Sequence, residues 1–385
     1  MKLRRGAACL VLLLWIGALL LLPVSGEQAK ADVPSLPPEY KEMLQRLPEA
    51  LRESLPQRLF SVDGEEALGA WEALVSPRSL FSLLLQPLRD GWRQYLSLLL
   101  SLIGVLLLRG VSNALIEHIR TPVLAGGVKL ICRVALFGTI LAQAVSGLFA
   151  IVSFYEDLQA LTAAFLPLMG TMYAMGGNVA TAAANHTTLL LSMSLVQWIG
   201  EESVVSLFSL CLAFGLMGAI SGEVAGRLQV VTGKLKKWYT TALGLAMLLL
   251  STALGAQTTL TARADSLAFR TVRFAVSSTI PVVGGGVAEM LRTAATGISW
   301  LRGVVGIGGV ALLLWLLLPR LCSILLYRSL FSMAGDVAAL LGCPEEGKLL
   351  GEVASLYGYL LAVLSLSVMT FLLSLLLLLK CASVV

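Results

Sequence analysis

From Leu96 to Leu379 the chain is a succession of apolar runs separated by short polar stretches. The strong runs cover Gln94–Ile116, Leu130–Phe154, Thr240–Gln257, Val304–Leu318 and Ala354–Leu379. Weaker runs, richer in Gly, Ala, Ser and Thr, cover Leu158–Ala182, Thr187–Gly222 and Val272–Leu291. About 20 apolar residues in a helix cross the hydrocarbon core of a bilayer. Gly200-Glu201-Glu202 divides the longest weak run into a hairpin, and Glu156-Asp157 reads as a short connection between two others. The pattern predicts an all-α, polytopic integral membrane protein of roughly seven to nine transmembrane helices.

The N-terminal part has a different pattern. Lys2, Arg4 and Arg5 precede an apolar stretch, Ala7–Leu22, which Pro23 ends. Residues 1–31 therefore read as a signal peptide, with an uncleaved first membrane helix as the other reading. Residues 32–92 read as an extracytoplasmic amphipathic helical region. Its prolines cut it into short helices expected at Tyr40–Leu47, Glu49–Leu55 and Glu65–Leu74. Ser79–Leu88 is expected to lie along the membrane surface. Residues 93–385 form the polytopic membrane domain. Basic residues gather at Arg109, Arg120, Lys129 and Arg133 and again at Arg227, Lys234, Lys236 and Lys237. Taking basic loops as cytoplasmic puts residues 32–92 on the outer side.

Composition narrows the function classes. Hydrophobic residues make up 57% and charged residues 13%, against roughly 25% charged in soluble domains. The net charge of +5 comes without a basic stripe interleaved with aromatics, so no nucleic-acid partner is expected. Six cysteines, none in a C-x-x-C pair, read as small buried hydrophobes rather than a disulfide framework or metal site. Gly342-Cys343-Pro344-Glu345-Glu346-Gly347-Lys348 fits the glycine-to-lysine part of a phosphate-binding loop. Leu349 stands where the magnesium-binding hydroxyl belongs, and two acids would repel phosphate. With His118 and His186 the only histidines, zinc-protease and serine-hydrolase motifs are absent. No cofactor and no enzymatic activity are expected.

A repeat is visible within the membrane part. Leu166-Pro167-Leu168-Met169-Gly170 resembles Ile280-Pro281-Val282-Val283-Gly284, each behind a strong apolar run. Gly222-Glu223-Val224-Ala225 resembles Gly335-Asp336-Val337-Ala338 at nearly the same offset. The two halves would be residues 120–226 and 233–340. Paired Pro/Gly-interrupted segments are the best sequence pointer to a transport site. Pro167, Gly170, Pro281, Gly284 and Gly285 are therefore expected to break two helices that face each other, lining a pore or seating a partner helix. Glu223 and Asp336, at matching positions, are candidates for partner or ion contact. Gly218, Gly222 and Gly226 make two G-x-x-x-G steps suited to close helix packing.

The order of parts, with the stretch Phe274-Ala275-Val276-Ser277-Ser278-Thr279-Ile280-Pro281-Val282-Val283-Gly284-Gly285 at its most specific point, resembles the stage III sporulation protein AE family. The resemblance implies a multi-pass protein in the mother-cell-derived membrane around the forespore. It implies a non-enzymatic part in a channel or secretion-like complex needed for forespore development after engulfment. Other stage III sporulation proteins, including a cytoplasmic ATPase, would be its partners. The residues alone leave a second reading open, a stand-alone secondary transporter for a small solute.

Overall fold

The computed structural model describes residues 38–56, 59, 64–119, 122–175, scattered positions between 194 and 256, and 284–381. The segment read as a signal peptide, residues 1–31, lies outside the described residues, as do Pro281, Glu223, the glycines 218, 222 and 226, and most positions between 176 and 283. Residues 35–385 form one compact unit.

Three short helices come first: α1 (Pro38–Gln45), α2 (Glu49–Ser54) and α3 (Gly64–Val75). They match the three short helices read from the proline spacing. Four long helices follow: α4 (Pro77–Ile119), α5 (Pro122–Met175), α6 (Gly284–Leu340) and α7 (Pro344–Cys381). Four of these seven begin at proline. At the first helical position its missing N–H costs nothing and its fixed φ favours the helix.

The long helices form two antiparallel hairpins laid side by side. The α6–α7 turn has a local cause. Gly342 takes φ +74°, the left-handed conformation that glycine adopts freely. Cys343 N–H then donates to the Ala338 carbonyl (2.9 Å) and Gly342 N–H to the Ala339 carbonyl (3.3 Å), the paired bonds of a Schellman cap. Pro344 starts the return helix, and Glu345 and Glu346 fall in its first turn, where carboxylates complement the helix dipole.

Contacts fix the alignment of the hairpins. Leu80 and Leu83 of α4 pack with Leu314 and Leu318 of α6. Further along, Tyr95 meets Tyr327, and Gly110 approaches the Leu341 carbonyl. Helices α4 and α6 thus run parallel. In the same way Arg133 reaches Glu346, Gly147 lies against Tyr357 and Tyr155 bonds Ser367, so α5 runs parallel to α7. Both hairpin turns lie at one pole. At the other pole α1 packs on α5 and α3 on α6.

Among the described residues, four stretches are long and apolar enough to cross a membrane: Pro77–Ala114, Gly126–Leu168, Gly306–Leu340 and Pro344–Ser365. Within an apolar 18-residue stretch of each, buried residues make up 56% on α6 and 44% on α7, but only 17% on α4 and 29% on α5. The α6–α7 hairpin is therefore the centre of the bundle. On α4 and α5, Leu100, Leu108, Ile131 and Phe149 stay exposed, as a lipid-facing surface requires.

Three sequence expectations need correction. Pro167 does not break its helix: α5 continues unbroken through it to Met175. A proline removes one backbone bond, but packing holds this one in register, with Leu161, Ala164, Phe165 and Leu168 all buried around it. For the same reason Glu156-Asp157 is no loop and lies inside α5. Ser79–Leu88 is not a separate surface helix either. It is the first part of α4, which runs unbroken across the boundary expected at residue 92.

Candidate functional site

The polar residues of this apolar bundle gather at three levels, and the first is the pole of the hairpin turns. Arg109 Nε donates to Glu346 Oε1 at 3.2 Å, and Arg133 Nε donates to the same oxygen at 3.4 Å. Arg133 also contacts Glu345, and Arg109 Nη1 reaches Asn113 Oδ1 at 3.5 Å. The Arg109 and Glu346 side chains are only 7% and 5% exposed. One carboxylate thus joins α4, α5 and α7. Removing one member of such a buried pair strands the other charge, which costs about 3–5 kcal/mol.

Neighbouring small residues let the helices close at this pole. An added Cβ on Gly347 would lie 3.0 Å from the Gly335 carbonyl oxygen. Cys343 is buried beside Glu346, and burial first, then that carboxylate, pushes its thiol pKa up. It stays a protonated, unreactive thiol. Cys132, Cys211, Cys322 and Cys343 are all free, in line with their reading as small hydrophobes. A short way along α7, Lys236 Nζ donates to Glu352 Oε2 at 2.9 Å and to Ser355 Oγ at 3.3 Å.

The second level is a stack of rings inside the bundle. Tyr327 lies 4.8 Å from Tyr95 and 5.7 Å from Tyr357, ring centre to ring centre. Phe331 stacks on Tyr357 at 5.5 Å, and Phe208 meets its edge at 6.5 Å. The Tyr357 hydroxyl donates to the Gln143 carbonyl at 3.3 Å. Deeper still, Ser367 Oγ donates to the Val363 carbonyl, which leaves Tyr155 to donate to Ser367 at 2.8 Å. Hydroxyls in hydrocarbon must find partners within the protein. These rings bring α4, α5, α6 and α7 to one place.

The third level is the cap formed by α1–α3. Trp71 Nε1 donates to the Tyr40 hydroxyl at 3.1 Å, which in turn donates to the Leu59 carbonyl at 3.2 Å. Trp71 and Leu59 are fully buried and Tyr40 nearly so. Burial raises the Tyr40 pKa to about 12, partly offset by the bond from Trp71. Trp71 lies on Gly308, where an added Cβ would come within 3.1 Å of its ring. The cap is thus seated on α6 by an indole over a glycine.

Among the residues singled out from sequence, Pro167 and Gly170 lie near the cap end of α5, half-buried, and no atom comes within 4 Å of a Cβ built on Gly170. Gly284 and Gly285 open α6. Asp336 is exposed one turn before the hairpin. The structure does not bring Asp336 together with Pro167 or Gly170, which lie toward opposite poles of the bundle. Sequence reasoning used Arg109 and Arg133 only as markers of membrane side, and Glu346 only as an argument against phosphate. The missed signal was Arg109 itself, a cation at the end of an uninterrupted apolar run. Among the described residues no cluster of three or more His, Cys, Asp or Glu could hold a metal ion.

No curated protein and no solved structure matches the chain. The family model for stage III sporulation protein AE matches residues 73–382, from the end of α3 through all four long helices. With well over half of its length matched, and an all-helical bundle carrying several membrane-length helices beneath that match, the chain belongs to the stage III sporulation protein AE family.

Proposed function

We propose that this chain is a non-enzymatic membrane component of a channel or secretion-like complex that links mother cell and forespore. The observation that carries the reading is the family match, which covers every described membrane-length helix. In this reading the chain is a multi-pass protein of the mother-cell-derived membrane, with roughly seven to nine spans. Further spans beyond the four long helices come from the apolar runs between residues 176 and 283.

The charge distribution supports an orientation. Arg109, Arg133, Lys236 and Lys348 all lie toward the hairpin-turn pole. Under the positive-inside rule this pole faces the mother-cell cytoplasm and the α1–α3 cap faces the intermembrane space. A cytoplasmic ATPase and other stage III proteins would meet the chain from those two sides. The energy for transport would come from such a partner.

A clean deletion in the native host tests the proposal. Normal vegetative growth with arrest after engulfment is the expected result. Normal spores would overturn it, and a growth defect on particular nutrients would put the solute-transporter reading first. Replacing Gly284 and Gly285 by Leu, with membrane insertion checked separately, asks whether the start of α6 matters; the expected outcome is arrested sporulation with normal insertion.

A further inference from the structure

Residues 230–239 are helical, and so is every described position from there to Ala256. One face of this helix is pinned to the bundle. Lys236 is buried and donates to Glu352 Oε2 of α7 at 2.9 Å and to Ser355 Oγ at 3.3 Å. Thr232, one turn earlier, is buried as well. The opposite face is open. Lys234, Lys237, Trp238, Thr241, Leu245 and Leu248 follow one another at helical spacing and are all exposed. Trp238 is 75% and Leu248 64% exposed.

The level of these lysines follows from two helices together. Residues 238–262 contain no charged residue, and neither do residues 353–379 of α7. Both charge-free runs begin beside the Lys236–Glu352 pair. As a helix, residues 238–256 measure about 28 Å, close to one hydrocarbon thickness. The pair therefore marks an edge of the hydrocarbon, and Glu346 with Arg109 and Arg133 lies further out on the same side.

From that edge inward the open face changes in the order in which a bilayer changes. Two ammonium groups come first, then an indole, then leucines. Cations suit the phosphates, tryptophan the interface and leucine the acyl chains. Two described hydroxyls on the apolar part are already used. Thr241 donates to the Lys237 carbonyl at 2.9 Å and Thr252 to the Leu249 carbonyl at 2.8 Å. Inward of the lysines this face thus presents hydrocarbon and satisfied hydroxyls, as contact with lipid requires. Lys234 and Lys237 enter no ion pair among the described residues. Their long stems let the ammonium groups reach outward to the headgroups. Two cations one turn apart favour a headgroup of net negative charge over a zwitterionic one. We propose that Lys234, Lys237 and Trp238 form a binding site for the headgroup of an anionic phospholipid, a site that rests on the reading of the chain as a multi-pass membrane protein.

The purified full-length chain is reconstituted in phosphatidylcholine vesicles that contain a minor fraction of brominated phosphatidylglycerol or, in parallel, of brominated phosphatidylcholine. Bromine quenches tryptophan on contact, and the difference between wild type and W238F isolates Trp238 from the other tryptophans. Brominated phosphatidylglycerol is expected to quench Trp238 as if enriched about fivefold over brominated phosphatidylcholine, the factor that one lysine contributes at an anionic surface. The double variant K234Q/K237Q should lose that excess and K234R/K237R should keep it. Unchanged quenching by brominated phosphatidylcholine shows that the variants still insert; should the double glutamine variant fail to insert, K237Q alone must lower the excess. Equal quenching by the two lipids in the wild-type chain would overturn the proposal, as would an excess that survives loss of the lysines. Absence of quenching by either lipid would overturn it too, by showing that protein covers Trp238. Loss of the excess on adding inorganic phosphate, but not chloride at equal ionic strength, would make a free anion the occupant and overturn it as well. Because only purified components are used, failure here leaves the sporulation phenotype of the deletion unaffected, and an absent phenotype leaves the lipid preference standing.

Discussion

The cap pole of the bundle is closed by rings and hydrocarbon, whereas the hairpin-turn pole is closed by charges. At the cap, Tyr40, Leu59 and Trp71 form a dry cluster on Gly308. At the turns, Glu346 binds two guanidinium groups with almost no exposure. The difference reflects the solvent each pole leaves behind. The short helices carry exposed polar residues such as Lys41, Glu42 and Arg46 over a buried indole, an arrangement that gains from the hydrophobic effect. The long helices come together in lipid, where apolar association gains little, and polar pairs and small residues hold them instead. The close approach of Gly335 and Gly347 beside the ion pairs shows both devices at one place.

The sharpest way to break this comparison is to remove the charge that three helices share. Glu346→Ala leaves Arg109 and Arg133 facing each other and should cost about 3–5 kcal/mol, read as lost resistance to unfolding in detergent. Arg109→Met combined with Glu346→Leu should recover part of that loss, since Arg133 retains Glu345. If the double variant is no better than the single, the pair is not what holds this pole.

Trp71→Ala should act at the other pole alone. Loss of a buried aromatic costs roughly 3 kcal/mol. The expected result is faster tryptic cleavage after Arg46 or Arg52, with the hairpin bundle unchanged. Gly347→Leu comes next, because its side chain would meet the Gly335 carbonyl. Overpacking of this kind costs about 1–3 kcal/mol, and its signature would be separation of α6 and α7 in a spin-label distance measurement. Gly342→Ala should cost roughly 1 kcal/mol through its positive φ, measured as a small drop in thermal midpoint.

The smallest effect is a pH effect at the cap. Tyr40 has its pKa raised from 10.0 to about 12, so folding favours the neutral hydroxyl. Its contribution is complete below pH 10 and is lost as pH rises toward 12. The difference between wild-type and Y40F absorbance titrations should show one tyrosinate appearing near pH 12. If Tyr40 titrates near 10, the cap is not sealed as described.

Much of this molecule was legible in the chain itself. The prolines of residues 32–92 marked the breaks between the short helices, because a proline's backbone favours the first turn of a helix and nothing further in. The length of the apolar runs marked membrane helices because a bilayer's thickness is fixed. Other features misled. Pro167 and the Glu156-Asp157 pair looked like interruptions, since local preference is all a single stretch of sequence displays. Packing against α6, α7 and α1 overrides it, and α5 runs through both.

The sequence by itself determined the helical class, the membrane solvent, the short helices before the first span and the family. Each depends on local composition, period and motif. Tertiary structure decided which charges meet. Arg109, Arg133 and Glu346 are far apart in the chain, and only the parallel alignment of two hairpins brings them to one carboxylate.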